Sequence, residues 1–243
     1  NRRVHQVIVT SPLGLVPREL EEQWPAAHYD IPVTGDWDDD ELATIRRMVT
    51  TLIERTGYKT VINHSGIDFE IETIDTRPDD VGASSKAACD VLRQAIESIE
   101  HEPIREKTFL RHKFASLSRW QFGTDAWMEG LHVGGKPPRW MLMKDKQQMA
   151  QWHPDSGRFS FTKSILPTLR ETGTLREVEI GGDAPWKGDI FPNMVKSAPD
   201  DLKINEEILI VRNGELLGSA RCKAAGWEWK SGAGRLARSQ HRL

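Results

Sequence analysis

His5-Gln-Val-Ile-Val-Thr-Ser-Pro-Leu-Gly-Leu-Val-Pro-Arg-Glu-Leu20, followed by His28-Tyr-Asp-Ile-Pro-Val-Thr-Gly35, is the stretch whose reading decides the fold. Val7 to Val9 reads as a buried strand that stops at Ser11-Pro12 and turns at Gly14. A helix can start at Pro17, because proline lacks the N–H that a first helical turn leaves unpaired. It is expected over Arg18 to Trp24, with a second strand from Tyr29 to Val33. Polar groups leaving the carboxyl end of a strand are where open α/β sheets place ligands. Spacing alone fits an ordinary strand–turn–helix connection equally well.

Downstream, helical and extended periods alternate. Asp36 to Glu41 holds five carboxylates in six positions. Asp38 is set to cap a helix with Glu41 three residues on, a capping box, and acids favour the positive end of a helix. A metal site is the competing use of the cluster, disfavoured because consecutive residues at a helix start diverge. Leu42, Ile45, Met48, Val49, Leu52 and Ile53 repeat at helical spacing, and Gly57 ends the run. Tyr58 to Asn63 reads as a strand stopped by His64-Ser-Gly66, with Phe69, Ile71 and Ile74 continuing in extended form. Ala87, Ala88, Val91, Leu92, Ala95, Ile96 and Ile99 make a second amphipathic helix. Such alternation implies a parallel α/β layer. Three strand ends would then converge, presenting Thr10-Ser11, Asp30 with Thr34, and His64-Ser65. A carboxylate, a histidine and hydroxyls in one crevice suit general acid–base work or the orientation of a bound base. Singly, each has a plain structural use: His28 can pair with a carboxylate, Asp30 can cap a turn and His64 can bond backbone.

The pattern breaks near His101 to Lys107, where Pro103 and a cluster of charges mark a boundary. Arg119-Trp-Gln-Phe-Gly123 then leads into Trp127 and a Gly134-Gly-Lys-Pro-Pro-Arg139 loop. Short strands are expected at Trp140–Met143 and Arg158–Thr162, the latter after an Asp155-Ser-Gly157 turn, and a helix over 164–171. From Arg176 the pattern is all-β. Val178-Glu-Ile180 is a strand, Lys187 to Pro192 a turn-rich connector, and Glu207 to Arg221 a hairpin about Asn213-Gly214. The end alternates toward a basic strand with Arg235, Arg238 and Arg242.

The 243 residues, 38% hydrophobic and 28% charged, have the composition of a soluble globular protein. No run approaches the ~18 apolar residues of a membrane span. No signal-like stretch follows Asn1-Arg-Arg, so a cytoplasmic location is expected, and Asn1 in place of Met suggests a processed or trimmed chain. Cys89 and Cys222 sit in no metal-ligand spacing and are expected as reduced thiols; no metal and no cofactor is called for. Net charge is −3, but residues 1–100 hold 10 Lys/Arg against 19 Asp/Glu, while the remainder holds 23 against 17. An acidic part joined to one that approaches polyanions fits this asymmetry. The absence of GxSxG, Walker A and GxGxxG motifs weakens hydrolase, NTPase and dehydrogenase readings.

Thr10-Ser-Pro-Leu-Gly-Leu-Val-Pro-Arg-Glu-Leu20 and Tyr29-Asp-Ile-Pro-Val-Thr-Gly35 closely resemble the C-terminal half of archaeosine synthase, the archaeal paralogue of tRNA-guanine transglycosylase. Gln121-Phe-Gly123 and Gly157-Arg-Phe-Ser-Phe-Thr162 resemble elements of the small domain that precedes the last domain in archaeal tRNA-guanine transglycosylases. The segment from Arg176 resembles a PUA domain, a small RNA-binding β-barrel. It differs at Ile204-Asn-Glu-Glu207, where the family has a Gly-Asp-Glu turn, and at Gly226-Trp-Glu-Trp229, which replaces a more apolar segment. The resemblance implies three domains: an α/β three-layer, uracil-glycosylase-like domain over 1–105, an α+β intermediate domain over 106–175 and a PUA barrel over 176–243.

It also implies an activity. Archaeosine synthases act on tRNA whose D-loop guanine has been replaced by a cyano-deazaguanine, adding a nitrogen nucleophile (a lysine amine or a glutamine-derived nitrogen) across the nitrile. Ser11, Arg18, Glu19, Asp30 and Thr34 would line the pocket for the flipped base, with His64 beside them. Basic side chains neutralise phosphates and aromatics hold splayed bases, which makes Arg119, Lys223, Lys230, Arg235 and Arg238 the RNA-binding candidates; core packing is the ordinary use of the tryptophans. Partners implied are tRNA and, in lineages using lysine, a radical-SAM subunit; a homo-oligomer stays open, and no membrane is involved. The family's upstream Pro-Cys…Lys-Pro-Tyr…Ser…His motif is not in this sequence. An enzyme is expected if that motif lies in a preceding segment or a partner chain. A non-catalytic subunit that presents tRNA is expected if the natural protein begins here. A DNA-glycosylase-like enzyme is the third reading, opposed by the PUA resemblance.

Overall fold

The acidic run starts a helix as its chemistry dictates. The Asp38 carboxylate accepts from the Glu41 backbone N–H at 2.8 Å, and Glu41 Oε2 accepts from the Asp38 N–H at 3.1 Å. This capping box opens helix α1 (Asp39–Thr56), which Gly57 closes at φ 71°. Ile45 and Val49 of α1 pack on Ile67 and Phe69. The structure, a computed structural model, describes residues 2–3, 7–12, 27–31, 37–58, 60–76, 85–99, 103–183, 185–230 and 234–243. They form a mixed α/β protein with several sheets, which divides into two units, Asn1–Gln121 and Phe122–Leu243.

In the first unit, β1 (Arg2–Arg3) is followed by β2 (Val7–Pro12), β3 (Ala27–Ile31), β4 (Thr60–Asn63), β5 (Ile74–Asp75) and β6 (Pro103–Ile104). Strands β3-β2-β4-β5 make one sheet, parallel throughout, as the alternating pattern requires; β1 and β6 form a separate antiparallel ribbon. Helix α2 (Ser85–Ser98) covers the expected amphipathic segment. Phe69 is buried but not extended into a strand: only Ile74–Asp75 pairs, and Glu70 turns the chain at φ 58°. The expected helix over Arg18 to Trp24 lies outside the described residues.

Helix α3 (Glu106–Phe122) replaces what the sequence offered only as a boundary followed by a new kind of segment. Its buried face mixes Phe109, Leu110 and Phe114 with Ser116 and Ser118, which dilutes the apolar stripe. Ser116 and Arg119 both reach the Thr56 carbonyl at the end of α1, Arg119 through Nε at 3.2 Å. Among the described residues no helix is long and apolar enough to cross a membrane.

The second unit starts with a meander, β7 (His132–Lys136), β8 (Arg139–Lys144), β9 (Gln147–His153) and β10 (Arg158–Phe161), antiparallel throughout. The expected glycine loop is in fact strand and hairpin: Gly134 and Gly135 pair with Met141 and Trp140. A Cβ at Gly134 would lie 2.8 Å from Met143 Cγ, so glycine is what lets that strand close up. Trp127 meets Phe159 and Phe161 edge-on, at 5.5 and 5.2 Å, and anchors this sheet. Helix α4 (Leu166–Glu171) follows.

The last sheet contains β11 (Glu177–Ile180), β12 (Val195–Ser197), β13 (Glu207–Arg212), β14 (Glu215–Cys222) and β15 (Ala237–Arg242), in the order β12-β11-β13-β14-β15. Only the β11–β13 pair is parallel. Asn213 and Gly214, at φ 48° and 80°, make the expected two-residue hairpin turn between β13 and β14. Gly226-Trp-Glu-Trp229 keeps an apolar role despite its composition: the turn buries Trp229, whose Nε1 donates to Ala224 O, and leaves Trp227 71% exposed. Gly226 lies against the backbone of Asp200 and Leu202 with no space for a Cβ. The expected barrel is not closed among the described residues. The β12 edge is three residues long and follows a register shift on β11, and the connector meets β15 through an isolated β-bridge, Ile190 to Ala237, and side-chain bonds rather than through a strand. Cys222 is a buried free thiol, pushed by burial up to about 12.

Candidate functional site

Parallel pairing brings the carboxyl ends of β2, β3 and β4 together. Ser11 of β2 is in register with Asp30 of β3, and Thr10 with Asn63 of β4. The His64 N–H then donates to Thr10 O at 2.8 Å, so the chain after β4 follows β2 one residue further. Period-two alternation puts positions 11, 30 and 64 in one row across the strand ends. Arg18, Glu19 and Thr34 lie outside the described residues.

Asn63 is the hub beneath this row. Its side-chain oxygen accepts from Thr10 Oγ1 (3.2 Å), Ser65 N (3.1 Å) and Ser65 Oγ (2.7 Å). Its amide nitrogen donates to Ile67 O (2.9 Å) and Asp75 Oδ1 (2.8 Å). A buried amide with its bonding capacity filled on both atoms fixes one arrangement of the loop after β4.

His64 is 2% exposed. Its Nδ1 lies 2.9 Å from Thr76 Oγ1, which also lies 3.5 Å from Asn63 O. In the tautomer protonated at Nδ1, Thr76 accepts and Nε2 is left as a bare acceptor. Nε2 is buried and finds no partner among the described residues. Burial lowers the His64 pKa and favours the neutral ring, opposed in part by a bond to the Thr76 backbone. A neutral imidazole with a free lone pair can accept a hydrogen bond or a proton from a group that enters the site.

The RNA-binding candidates divide by what they already touch. Arg119 spends its guanidinium on the Thr56 carbonyl. Lys230 pairs with Asp200 at 2.7 Å, and Arg235 with Asp189 at 3.2 Å. Lys223 and Arg238 are exposed and, among the described residues, pair with no carboxylate. Arg242, on the same strand, donates its guanidinium to Lys187 O. The sequence reading missed Asn63 and Thr76 as site-builders. The signal available was a polar residue at the end of an apolar strand, directly before the histidine.

Comparison with known proteins adds a family context. Residues 1–102 match the family described as a domain of unknown function (DUF5591). The chain is 31% identical over 225 residues to the archaeosine synthase subunit alpha of Thermoplasma acidophilum, covering 89% of this chain and 42% of that protein. It is 27% identical over 223 residues to the archaeosine synthase of Haloferax volcanii, covering 86% of this chain and 38% of that protein. The chain thus spans about two-fifths of the length of the curated relatives it matches. A crystal structure of a protein of unknown function shares the fold, with a TM-score of 0.63 at 18% identity, covering 100% of this chain and 96% of the other.

Proposed function

We propose, from its homology to archaeosine synthases over about nine-tenths of its length, that the chain acts in archaeal tRNA modification. In this reading it is the tRNA-handling part of a protein that carries the cyano-deazaguanine of the D-loop toward archaeosine, in the cytoplasm. Residues 1–105 supply a uracil-glycosylase-like α/β domain, 106–175 an intermediate domain, and 176–243 a PUA module.

The chemistry assigned to the site is addition across a nitrile. The nitrogen nucleophile bonds to the nitrile carbon, one C–N π bond breaks, and the proton lost by the nucleophile ends on the former nitrile nitrogen, giving an amidine. Such a step needs an acceptor for the proton and a shaped pocket for the base. Ser11, Asp30 and His64 stand at adjacent strand-end positions, residue types that supply a hydroxyl, a carboxylate and an imidazole. His64 Nε2, the unpartnered acceptor, is the residue to which we assign the proton; Arg18, Glu19 and Thr34 complete the pocket. The observation that carries the reading is the homology; the His64 geometry supports it. Lys223, Arg238, Arg235 and Lys230 are assigned to the tRNA backbone.

The test is binding of this chain to archaeal tRNA carrying the cyano base, against unmodified transcript, at two salt concentrations with lysine present and nucleosides read by mass spectrometry. An adduct lost in His64→Asn establishes the enzyme. Salt-sensitive binding without an adduct leaves a tRNA-presenting module, the second reading. No binding overturns both.

A further inference from the structure

The second unit contains a cavity of about 490 Å³, lined by Gly181, Gly182, Pro185, Trp186, Met194 and Arg212, with Asn193, Val195 and Lys196 completing the wall. Two of its lining residues hold buried donors without acceptors among the described residues, Trp186 Nε1–H and Arg212 Nε–H. Trp186 is 8% exposed, so its indole N–H is not left for bulk water. Unsatisfied buried donors are rare and costly, at about 1–3 kcal/mol each. Two in one cavity point to an acceptor that arrives from outside.

The surroundings say what kind of acceptor. Among the described residues no carboxylate pairs with Arg212, whereas Lys196 at the wall is neutralised by Glu179 at 2.7 Å. The cavity therefore holds one uncompensated cation beside a second donor, which suits an anionic oxygen. It is too large for an oxyanion alone and within the usual range for small-molecule sites. Pro185, Met194 and Val195 give it an apolar wall for a flat ring, and the Asn193 amide can read a ring edge. The fold also makes room for this geometry. Trp186 Cζ3 would lie 2.9 Å from a Cβ at residue 218, where the chain has glycine, so Gly218 lets the indole lie on β14. The parallel β11–β13 pairing sets the glycines after Ile180 next to Arg212.

We propose that this cavity binds a single nucleotide, its phosphate held by Trp186 Nε1–H and Arg212 Nε–H and its base against Pro185 and Met194. The residues are distinct from the strand-end row and from the basic candidates, so the inference stands whether or not the chain modifies tRNA. The nucleotide can be free or part of an RNA strand, since both present the same phosphate and ring.

The full chain, ¹⁵N-labelled, is titrated with inorganic phosphate, uridine, uridine 5′-monophosphate and a uridine tetranucleotide, following the nine indole N–H signals. Trp186→Phe identifies the relevant signal, and because it alters the core, Arg212→Gln serves as the second variant. The expected result is a downfield shift of the Trp186 signal by the monophosphate or the tetranucleotide, with affinity at least tenfold lower in Arg212→Gln. Tighter binding of the tetranucleotide assigns the site to an RNA strand, and equal or tighter binding of the monophosphate to a free nucleotide. A silent Trp186 signal with all four probes, or equal affinity in Arg212→Gln, overturns the proposal. So does phosphate or uridine alone binding as tightly as the nucleotide, since each would remove one half of the site.

Discussion

The two units bury polar atoms in opposite senses. At the strand ends of the first unit, the polar groups form a closed network around Asn63 and, among the described residues, leave one atom over, His64 Nε2, an acceptor in the tautomer protonated at Nδ1. In the second unit, the atoms left over are donors, Trp186 Nε1–H and Arg212 Nε–H. A site with a spare lone pair suits a ligand that brings a proton, and one with spare donors suits a ligand that brings negative charge. The first unit holds a hydrogen-bonded hub at Asn63, and the second a group of packed aromatics around Trp127.

The largest effect is expected from the aromatic side. Trp127 is 1% exposed and packs edge-on against both Phe159 and Phe161. Trp127→Ala should cost about 3–5 kcal/mol of stability in denaturant titrations. A loss under 1 kcal/mol would mean that the rings are not the anchor of the meander.

The hub should cost somewhat less. Asn63→Ala strips partners from Thr10, Ser65, Asp75 and the Ile67 carbonyl, and the loss should be about 2–3 kcal/mol, the desolvation left on unpaired groups. Asn63→Asp would separate shape from bonding, since it keeps the acceptor but puts a second carboxylate against Asp75. It should be at least as damaging at neutral pH. Recovery to wild-type stability by either variant would reduce the hub to filler.

What the sequence made legible was local chemistry. The Asp38–Glu41 box, the Gly57 stop and the Asn213-Gly214 turn each depend on residues within a few positions, and each is present as expected. The parallel sheet was legible because Val7 to Val9 and Tyr58 to Asn63 are short apolar runs around a helical period. Helix α3 was hidden because Ser116 and Ser118 occupy buried positions in it, and β9 because Gln147, Gln148 and Gln151 hide its one-sided pattern. The strand-end row could be guessed, since open sheets converge there. The donor cavity could not. Trp186, Asn193 and Arg212 have no common period and meet only through the β11–β13 pairing.

The free acceptor gives a smaller effect with a definite sign. Folded His64 has a pKa below the ordinary 6.5, because burial disfavours the charged ring. As pH falls through 6.5 the unfolded chain takes up the proton first, so the stability held in neutral His64 is complete above that pH and is lost progressively below it. Thermal unfolding of wild type against His64→Asn from pH 7.5 to 5 should show the wild type losing more stability on acidification. Using the difference between the two cancels Glu207, whose pKa is raised by burial and which titrates in both proteins. Parallel curves would mean that His64 is solvated in solution and that its lone pair is not held in reserve.

The smallest effect concerns charge at the surface of the second unit, where pairing should decide which cations reach RNA. A lysine or arginine that neutralises a phosphate contributes about one to the slope of log affinity against log salt. Arg238 has no carboxylate partner among the described residues, while Arg235 is held by Asp189 and Lys230 by Asp200. Arg238→Ala should therefore flatten the slope for tRNA by about one. Arg235→Ala should flatten it less, because Arg235 must leave Asp189 to reach a phosphate and its removal leaves that carboxylate bare near the strand. Asp189→Asn supplies the converse: freeing Arg235 should steepen the slope, provided that the backbone bond from Ser239 N to the same side chain persists through the amide oxygen. Equal slopes for Arg235→Ala and Arg238→Ala would show that RNA breaks these surface pairs at no cost, consistent with exposed ion pairs worth under about 1 kcal/mol. Unchanged slopes in both would remove β15 from the RNA-contacting edge altogether.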